Sequence, residues 1–453
     1  MRKLNAGLAG LVVAALTACG GSGSVAGAAR STSQVAGVPV VGANAFTGHG
    51  RLAFVSGGRL YVLDGTARGT AAVLHAVVIG QVEAGQVPGS PAWSADGKWL
   101  AFLVGKPGAD GAVSGGTLWI AGAEGQGARA VLRTSGPFEW SPKADVVAAL
   151  SGTALMAVRP GQAEHAIWED PGFTGRVAWA PNGRLIAVSV INRNASKRFA
   201  GSAIDIIAPA SGVALNNVAH SGTAALLIDG WWDNGNGVLA WSEPAGSASR
   251  AADGLPLVAY GFGGGPYDVT LATTLPYPSF VVRGPGSGVT LVTGGNRYLW
   301  HGKTITSVTT AGTRRPGMDA EPAPVNLDPA WAAGAPTPAI AFVHASSKAP
   351  PGTGQAALNA WYATRQLWYE FASGGNPFPV KGAGAGIAAP QWSSTGQYIL
   401  YVRDNALWLI RMLAPNGTPA LGPATRIVSR LFPGAWPNDD GYVAWPAQFA
   451  WHA

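Results

Sequence analysis

Residues 91–102 read Pro91-Ala92-Trp93-Ser94-Ala95-Asp96-Gly97-Lys98-Trp99-Leu100-Ala101-Phe102. The stretch predicts a β-hairpin. A short apolar approach ends at Trp93, a polar turn closes with Asp96-Gly97, and an apolar run follows. Asp can bond the backbone of its own turn, and Gly accepts φ > 0 because it has no Cβ to clash. One hairpin of this kind is ordinary, but near-copies recur along the chain. They begin at Phe138-Glu-Trp140-Ser-Pro, Val177-Ala-Trp179-Ala-Pro-Asn-Gly183 and Pro390-Gln-Trp392-Ser-Ser-Thr-Gly396. Looser copies lie at Trp231-Trp232-Asp-Asn-Gly, Pro329-Ala-Trp331 and Gly434-Ala-Trp436. A degenerate one runs from Phe280 to Gly288 and lacks the tryptophan altogether.

Taking Trp93, Trp140, Trp179, Trp232, Trp331, Trp392 and Trp436 as markers, the intervals are 47, 39, 53, 99, 61 and 44 residues. The interval of 99 holds two units around the degenerate copy. Each unit has room for about four short strands, and a period of about 40–50 residues is the mark of a β-propeller blade. Seven units start near residues 93, 140, 179, 232, 285, 331 and 392. The part-units 46–79 and 434–453 would pair into an eighth blade and close the ring. Seven blades is the alternative if an end strand is unused. The fold class expected is therefore all-β, an eight-bladed propeller of four-stranded antiparallel blades over residues 46–453.

Composition agrees. The chain is 47% hydrophobic and 12% charged, with 65 Gly and 33 Pro scattered between apolar runs. That suits many short strands joined by turns, and no window after the N-terminus has helical period and length. Runs such as Lys98-Trp-Leu-Ala-Phe-Leu-Val104 are continuously apolar, as strands buried on both faces require.

The repeat Trp-Ser-x-Asp-Gly-Lys-x-Leu-Ala-Phe, followed by Leu118-Trp119-Ile120, resembles the TolB-type propeller repeat. Related repeats build the propellers of dipeptidyl-peptidase-like enzymes. The resemblance covers most of residues 46–453, and it implies protein–protein contact through the propeller's faces or channel. Arg2-Lys3, the apolar run Leu8–Leu16 and Leu16-Thr-Ala-Cys19 resemble a bacterial lipoprotein signal with its lipobox. That resemblance implies a signal peptide over 1–18 and diacylglyceryl modification of Cys19. A flexible tether over 19–45 and attachment to the membrane on its extracytoplasmic side would follow. Cys19 is the only cysteine, so no disulfide framework or thiolate site is expected. The formal charge of +7 falls to +5 without Arg2 and Lys3. It is spread with no basic run, and a nucleic-acid partner is not expected.

Catalytic motifs are not found. There is no Gly-x-Ser-x-Gly elbow, no phosphate loop and no calcium loop, and the seven histidines have no metal-ligand spacing. No catalytic residue, metal or cofactor is therefore expected. The favoured reading is a binding or scaffolding module with an envelope protein partner. The alternatives are a channel enzyme acting on polysaccharide, or a sensor of glycans or small ligands. Aromatics outside the repeated positions, Trp231, Trp361 and Tyr362, are the surface candidates for contact. The polar loop with Arg193, Lys197 and Arg198 is the candidate for an anionic partner.

Overall fold

The protein was analysed as a computed structural model that describes residues 38–108, 110–245, 254–262, 268–284, 288–309, 312–314, 324–332, 334–431 and 440–453. The expected signal peptide, Cys19 and the expected tether up to residue 37 lie outside the described residues.

The opening hairpin forms as its turn chemistry dictates. Strand Val87–Trp93 pairs antiparallel with Trp99–Gly105. Between them Asp96 Oδ1 accepts the Ser94 hydroxyl at 2.8 Å and the Lys98 N–H at 3.0 Å, and Ser94 Oγ accepts the Trp99 N–H at 3.1 Å. The Lys98 ammonium lies 2.7 Å from the same carboxylate and, with these hydrogen bonds, holds Asp96 well below the usual carboxylate range. Gly97 has φ +69, and a Cβ there would strike the His452 ring. Only Gly therefore lets this turn lie against the neighbouring blade.

Eight four-stranded sheets are present among the described residues. Each of blades two to eight takes four successive strands. Blade one joins Gly50–Ser56, Arg59–Gly65 and Val73–Ala76 to the C-terminal strand Phe449–His452. The eight-blade expectation, with closure by the two ends of the chain, is met. The first strands of successive blades pack against one another around the axis.

The continuous apolar runs are explained by which way alternate residues point. In the second strand of blade two, Ala101 and Leu103 join Trp140, Val147 and Ala149 of blade three. Leu100, Phe102 and Val104 join Ala53, Val55 and Val62 of blade one. Every one of these side chains is fully or nearly fully buried. Each large one buried contributes about 1.5–3 kcal/mol before the entropy of ordering is set against it.

A second device links neighbouring blades. In five blades the inner-strand tryptophan donates its indole N–H to the carbonyl just before the corresponding tryptophan of the preceding blade. The pairs are Trp93 to Ala450 (3.1 Å), Trp140 to Ala92 (3.0 Å), Trp179 to Glu139 (3.2 Å), Trp231 to Ala178 (2.8 Å) and Trp392 to Ala330 (3.1 Å). This corrects the sequence reading of blade five. Trp231, expected at the surface, is 2% exposed and holds the repeated position. The register shift between Ile228 and Gly230 moves the neighbouring Trp232 off it. Trp231→Phe is expected to cost about 1–2 kcal/mol, because it leaves the Ala178 carbonyl unpaired in the interior. Trp232 has a buried indole nitrogen with no partner among the described residues, so Trp232→Phe should cost under about 0.5 kcal/mol. Urea denaturation of the two variants checks the contrast, and equal losses would undo the assignment.

The end of the expected tether is part of the fold. Val41 bridges Val428, the Gly42 N–H donates to Ile427 O at 2.8 Å, and the Ser429 N–H donates to Val40 O at 2.9 Å. The compact structure therefore begins before residue 46, with a short helix Ala43–Phe46 that buries Phe46.

Candidate functional site

Copies of one structural unit share their structural residues, so residues with another role stand where a blade departs from the others. Blade seven departs most. Between its strands Ala339–Ala345 and Gln366–Phe371 it inserts an eight-residue helix, Gln355–Tyr362. The helix was not expected from sequence, because its apolar positions are too few to show a period. Its inward residues, Ala357, Leu358 and Trp361, lie at helical spacing and are buried.

Trp361 is therefore a second correction: it is 2% exposed, not a surface ring. It packs edge-on against Trp300 at 5.5 Å and donates its indole N–H to Ser346 O at 2.8 Å. Tyr362 is only partly buried and faces another way. Its hydroxyl accepts the Trp445 indole N–H at 2.6 Å. The Arg365 guanidinium lies 4.1 Å over its ring and 4.9 Å over that of Trp361. Burial pushes the Tyr362 hydroxyl up to about 12, so it stays protonated near neutrality. Arg365, 3% exposed, also donates from Nη2 to Gly441 O at 3.1 Å and lies 4.0 Å from Asp328. These contacts fasten the helix to the C-terminal segment carrying Trp445.

The result is a cavity of about 460 Å³. Tyr362, Asn359, Trp445, Val402 and the turn Arg403-Asp404-Asn405 line it. The helix and this turn both join second to third strands, in blades seven and eight, so they lie on one face of the propeller. Asp404 and Asn405 have φ +53 and +54, the mirror-image turn that short hairpins favour. Arg403 stacks 3.6 Å over Trp408 and donates to Ala383 O at 2.8 Å, leaving it fixed beside the cavity. Trp445 also borders a second cavity of about 260 Å³, lined by Asp328, Trp331, Ala389 and Gln391 from inner strands.

A third cavity, of about 230 Å³, is lined by inner-strand residues of blades three to six and so faces the axis. It contains Glu139, Arg176, Asp229 and Arg283. Arg176 lies 3.4 Å from Asp229, and Glu139 Oε2 accepts the Trp179 N–H at 2.9 Å. Burial pushes the Glu139 carboxyl up to about 7 and that of Asp229 up to about 6, although both arginines pull the other way. None of the four was singled out from sequence, because they fall in four different units.

Of the sequence candidates, the structure brings two to cavities: Tyr362 lines the first, and Trp231, buried at its repeated position, forms part of the wall of the third. Arg193, Lys197 and Arg198 are at an exposed hairpin tip of blade four. There Arg193 donates to Lys197 O at 3.2 Å, and Asn194 Oδ1 accepts the Ser196 and Arg198 N–H groups at 3.0 Å. They line none of the three cavities.

No protein-family model matches the sequence, and no curated protein sequence matches it. Solved structures do match in fold. A eukaryotic initiation factor is 13% identical over 88% of this chain and 90% of its own, with a TM-score of 0.51. TolB from Acinetobacter baumannii is 12% identical over 82% of this chain and 76% of its own, with a TM-score of 0.32. An acylaminoacyl peptidase from Pyrococcus horikoshii is 10% identical over 76% of this chain, with a TM-score of 0.43. This chain spans about half the peptidase's length. At such identities the likeness is one of fold, and fold does not carry function.

Proposed function

We propose that the protein is a binding module of the bacterial cell envelope, held at the membrane through a lipid on Cys19, which engages a protein partner through the loop face of blades seven, eight and one. The observation that supports this most is the 460 Å³ cavity between Tyr362, Trp445 and the turn Arg403–Asn405. It is built by the inserted helix and the C-terminal segment, elements that the repeat does not need for its own packing. Its volume falls within the ~300–1,000 Å³ of ordinary binding pockets. A rigid aromatic floor with fixed polar groups at its edge suits one apolar anchor of an extended partner segment. The lipobox-like Leu16-Thr-Ala-Cys19 supports the membrane location.

Site-specific photocrosslinking in intact cells tests the reading. A benzophenone side chain at Asn359, exposed and on the cavity's edge, should give a discrete adduct with an envelope protein. Ala363→Arg, which fills the cavity mouth, should reduce that adduct at least tenfold. The same probe at Lys197, on the remote hairpin, should not give it. Identical adducts from both positions, or none, would refute the docking face. Cys19→Ala should move the protein out of the membrane fraction, and an unchanged distribution would remove the anchor.

A further inference from the structure

In seven blades the inner strand ends in tryptophan at one register position, opposite the first residues of the second strand. Trp93 faces Leu100, Trp140 faces Val147, Trp179 faces Ile186, Trp331 faces Ile340 and Trp392 faces Ile399. Trp231 faces Val238, and in the composite blade Trp451 faces Leu52. In blade six the residue at this position, opposite Val289, is Arg283. A guanidinium thus stands where the other blades put an apolar ring. It does not replace the structural role. Among the described residues the Arg283 side chain makes no hydrogen bond and no ion pair, and it is exposed and lines the cavity. A Cβ added to Gly230 would lie 3.9 Å from its Nη2, which places the group beside Asp229 on the cavity wall.

The residue just before the tryptophan departs as well. It is Ala92, Ala178, Ala330 and Ala450 in four blades, Gly230 in a fifth and the uncharged Gln391 in blade eight, but Glu139 in blade three. Two unrelated blades have therefore replaced a structural residue with a charged one, and both replacements line the same cavity. Within it Arg176 is balanced by Asp229 at 3.4 Å, whereas the charge of Arg283 is balanced only by the more distant carboxylates. The cavity's other walls, Trp231, Leu239, Pro278 and Val281, are apolar.

We infer that the cavity between blades three and six is a second binding site, which holds the carboxylate of a small acid or a chain end on the Arg283 guanidinium. A planar guanidinium with its donors free matches a carboxylate in two parallel hydrogen bonds. A volume of about 230 Å³ suits a terminal fragment. The groups facing Glu139 here are Arg176, Asp229 and Arg283, from three successive blades. When Glu139 is protonated, the cavity has an uncompensated positive charge. When it ionises, the charge is cancelled, so acid binding weakens as pH rises through about 7. This site is independent of the docking face on blades seven, eight and one.

Calorimetric titration of the full chain tests the inference, with N-acetylalanine as a copy of a peptide C-terminus, glucuronate as a sugar acid, and N-acetylalanine amide as the uncharged control. At pH 6.5 at least one acid should bind at least tenfold more tightly than the amide, and the one that does identifies the source. Arg283→Gln should weaken it at least tenfold. Arg283→Lys, which keeps the charge but not the fork, should fall between. Glu139→Gln should lose most of the weakening between pH 6.5 and pH 8 that the unaltered protein shows, keeping only the small part that Asp229, pushed up to about 6, contributes. Binding of acid and amide alike, binding by neither acid, or full affinity in Arg283→Gln would each overturn the site. Arg283 makes no contact that holds the fold, so that variant should keep its unfolding midpoint.

Discussion

Removal of Phe449–Ala453 is expected to abolish cooperative unfolding of the propeller. These residues supply the inner strand of blade one, paired with Arg51–Phe54. Phe449 is 1% exposed, and losing a buried phenylalanine alone costs about 3–5 kcal/mol. Two indole bonds go with it. Trp93 loses the Ala450 carbonyl at 3.1 Å, and His49 O loses the Trp451 N–H at 2.7 Å, at about 1 kcal/mol each. Strand Gly50–Ser56 is then left with an open edge beside the channel. The sum approaches the ~5–15 kcal/mol that holds a whole domain together. Urea titration followed by far-ultraviolet circular dichroism, with limited proteolysis alongside, should show a broad transition at much lower denaturant. A midpoint within about 0.3 M of the intact protein would mean that the ring is closed by something other than this strand.

Glu139→Gln is expected to stabilise the protein by about 2–3 kcal/mol at pH 8 and to leave it unchanged near pH 4.5. The sign follows from proton linkage. The folded-state carboxyl titrates at about 7, above the ordinary 4.5, so the folded protein holds this proton more tightly than the unfolded chain does. The contribution is fully present below about pH 4.5 and is lost as pH rises through about 7. Every tenfold difference in proton affinity between the two states is worth about 1.4 kcal/mol, which sets the upper end of the gain. Glutamine keeps an oxygen to accept the Trp179 N–H, held at 2.9 Å by Oε2, and has no charge to desolvate. Asp229, pushed up to about 6, adds a slope of the same sign between about pH 4 and 6 in both proteins. Thermal unfolding across pH 4.5 to 8 reads the difference. A variant less stable than its parent at pH 8 would show that Glu139 is held ionised by the two arginines.

Both predictions rest on features of unequal visibility in the amino-acid order. That the two ends of the chain share a blade could be read from their part-units, but the closing strand itself could not: the repeat pattern marks Trp436, which lies outside the described residues, and Trp451 is the tryptophan that pairs opposite Leu52. Nor could Glu139. Its neighbour Trp140 marked the blade, and nothing local distinguishes a glutamate facing the axis from one facing solvent. The paired tryptophans of blade five show the same limit. Either could end the strand, and with the register shift at Ile228–Gly230 it is Trp231 that is buried and bonded to Ala178 of blade four. The inserted helix was hidden for a different reason. Its Gly- and Pro-rich approach, Pro350-Pro-Gly-Thr-Gly354, reads as loop, and only two turns follow.

The amino-acid sequence by itself marked the blades and favoured eight of them closed by the two chain ends, while the pairing of the last strand with Gly50–Ser56 decided eight over seven. Asp-Gly turns, doubly buried apolar runs and repeated tryptophans act within one hairpin or with the next unit, so their chemistry is local and periodic. Only the tertiary structure decided where a ligand or partner could be held. Glu139, Arg176, Asp229 and Arg283 belong to four units, and Tyr362 and Trp445 to two ends of a closing ring. The curvature of the assembled propeller brings each set together around a shared space. The missing tryptophan of blade six was visible in the sequence as a degenerate repeat. That an unpaired guanidinium stands in its place, facing a cavity, became visible only once the strands were in register.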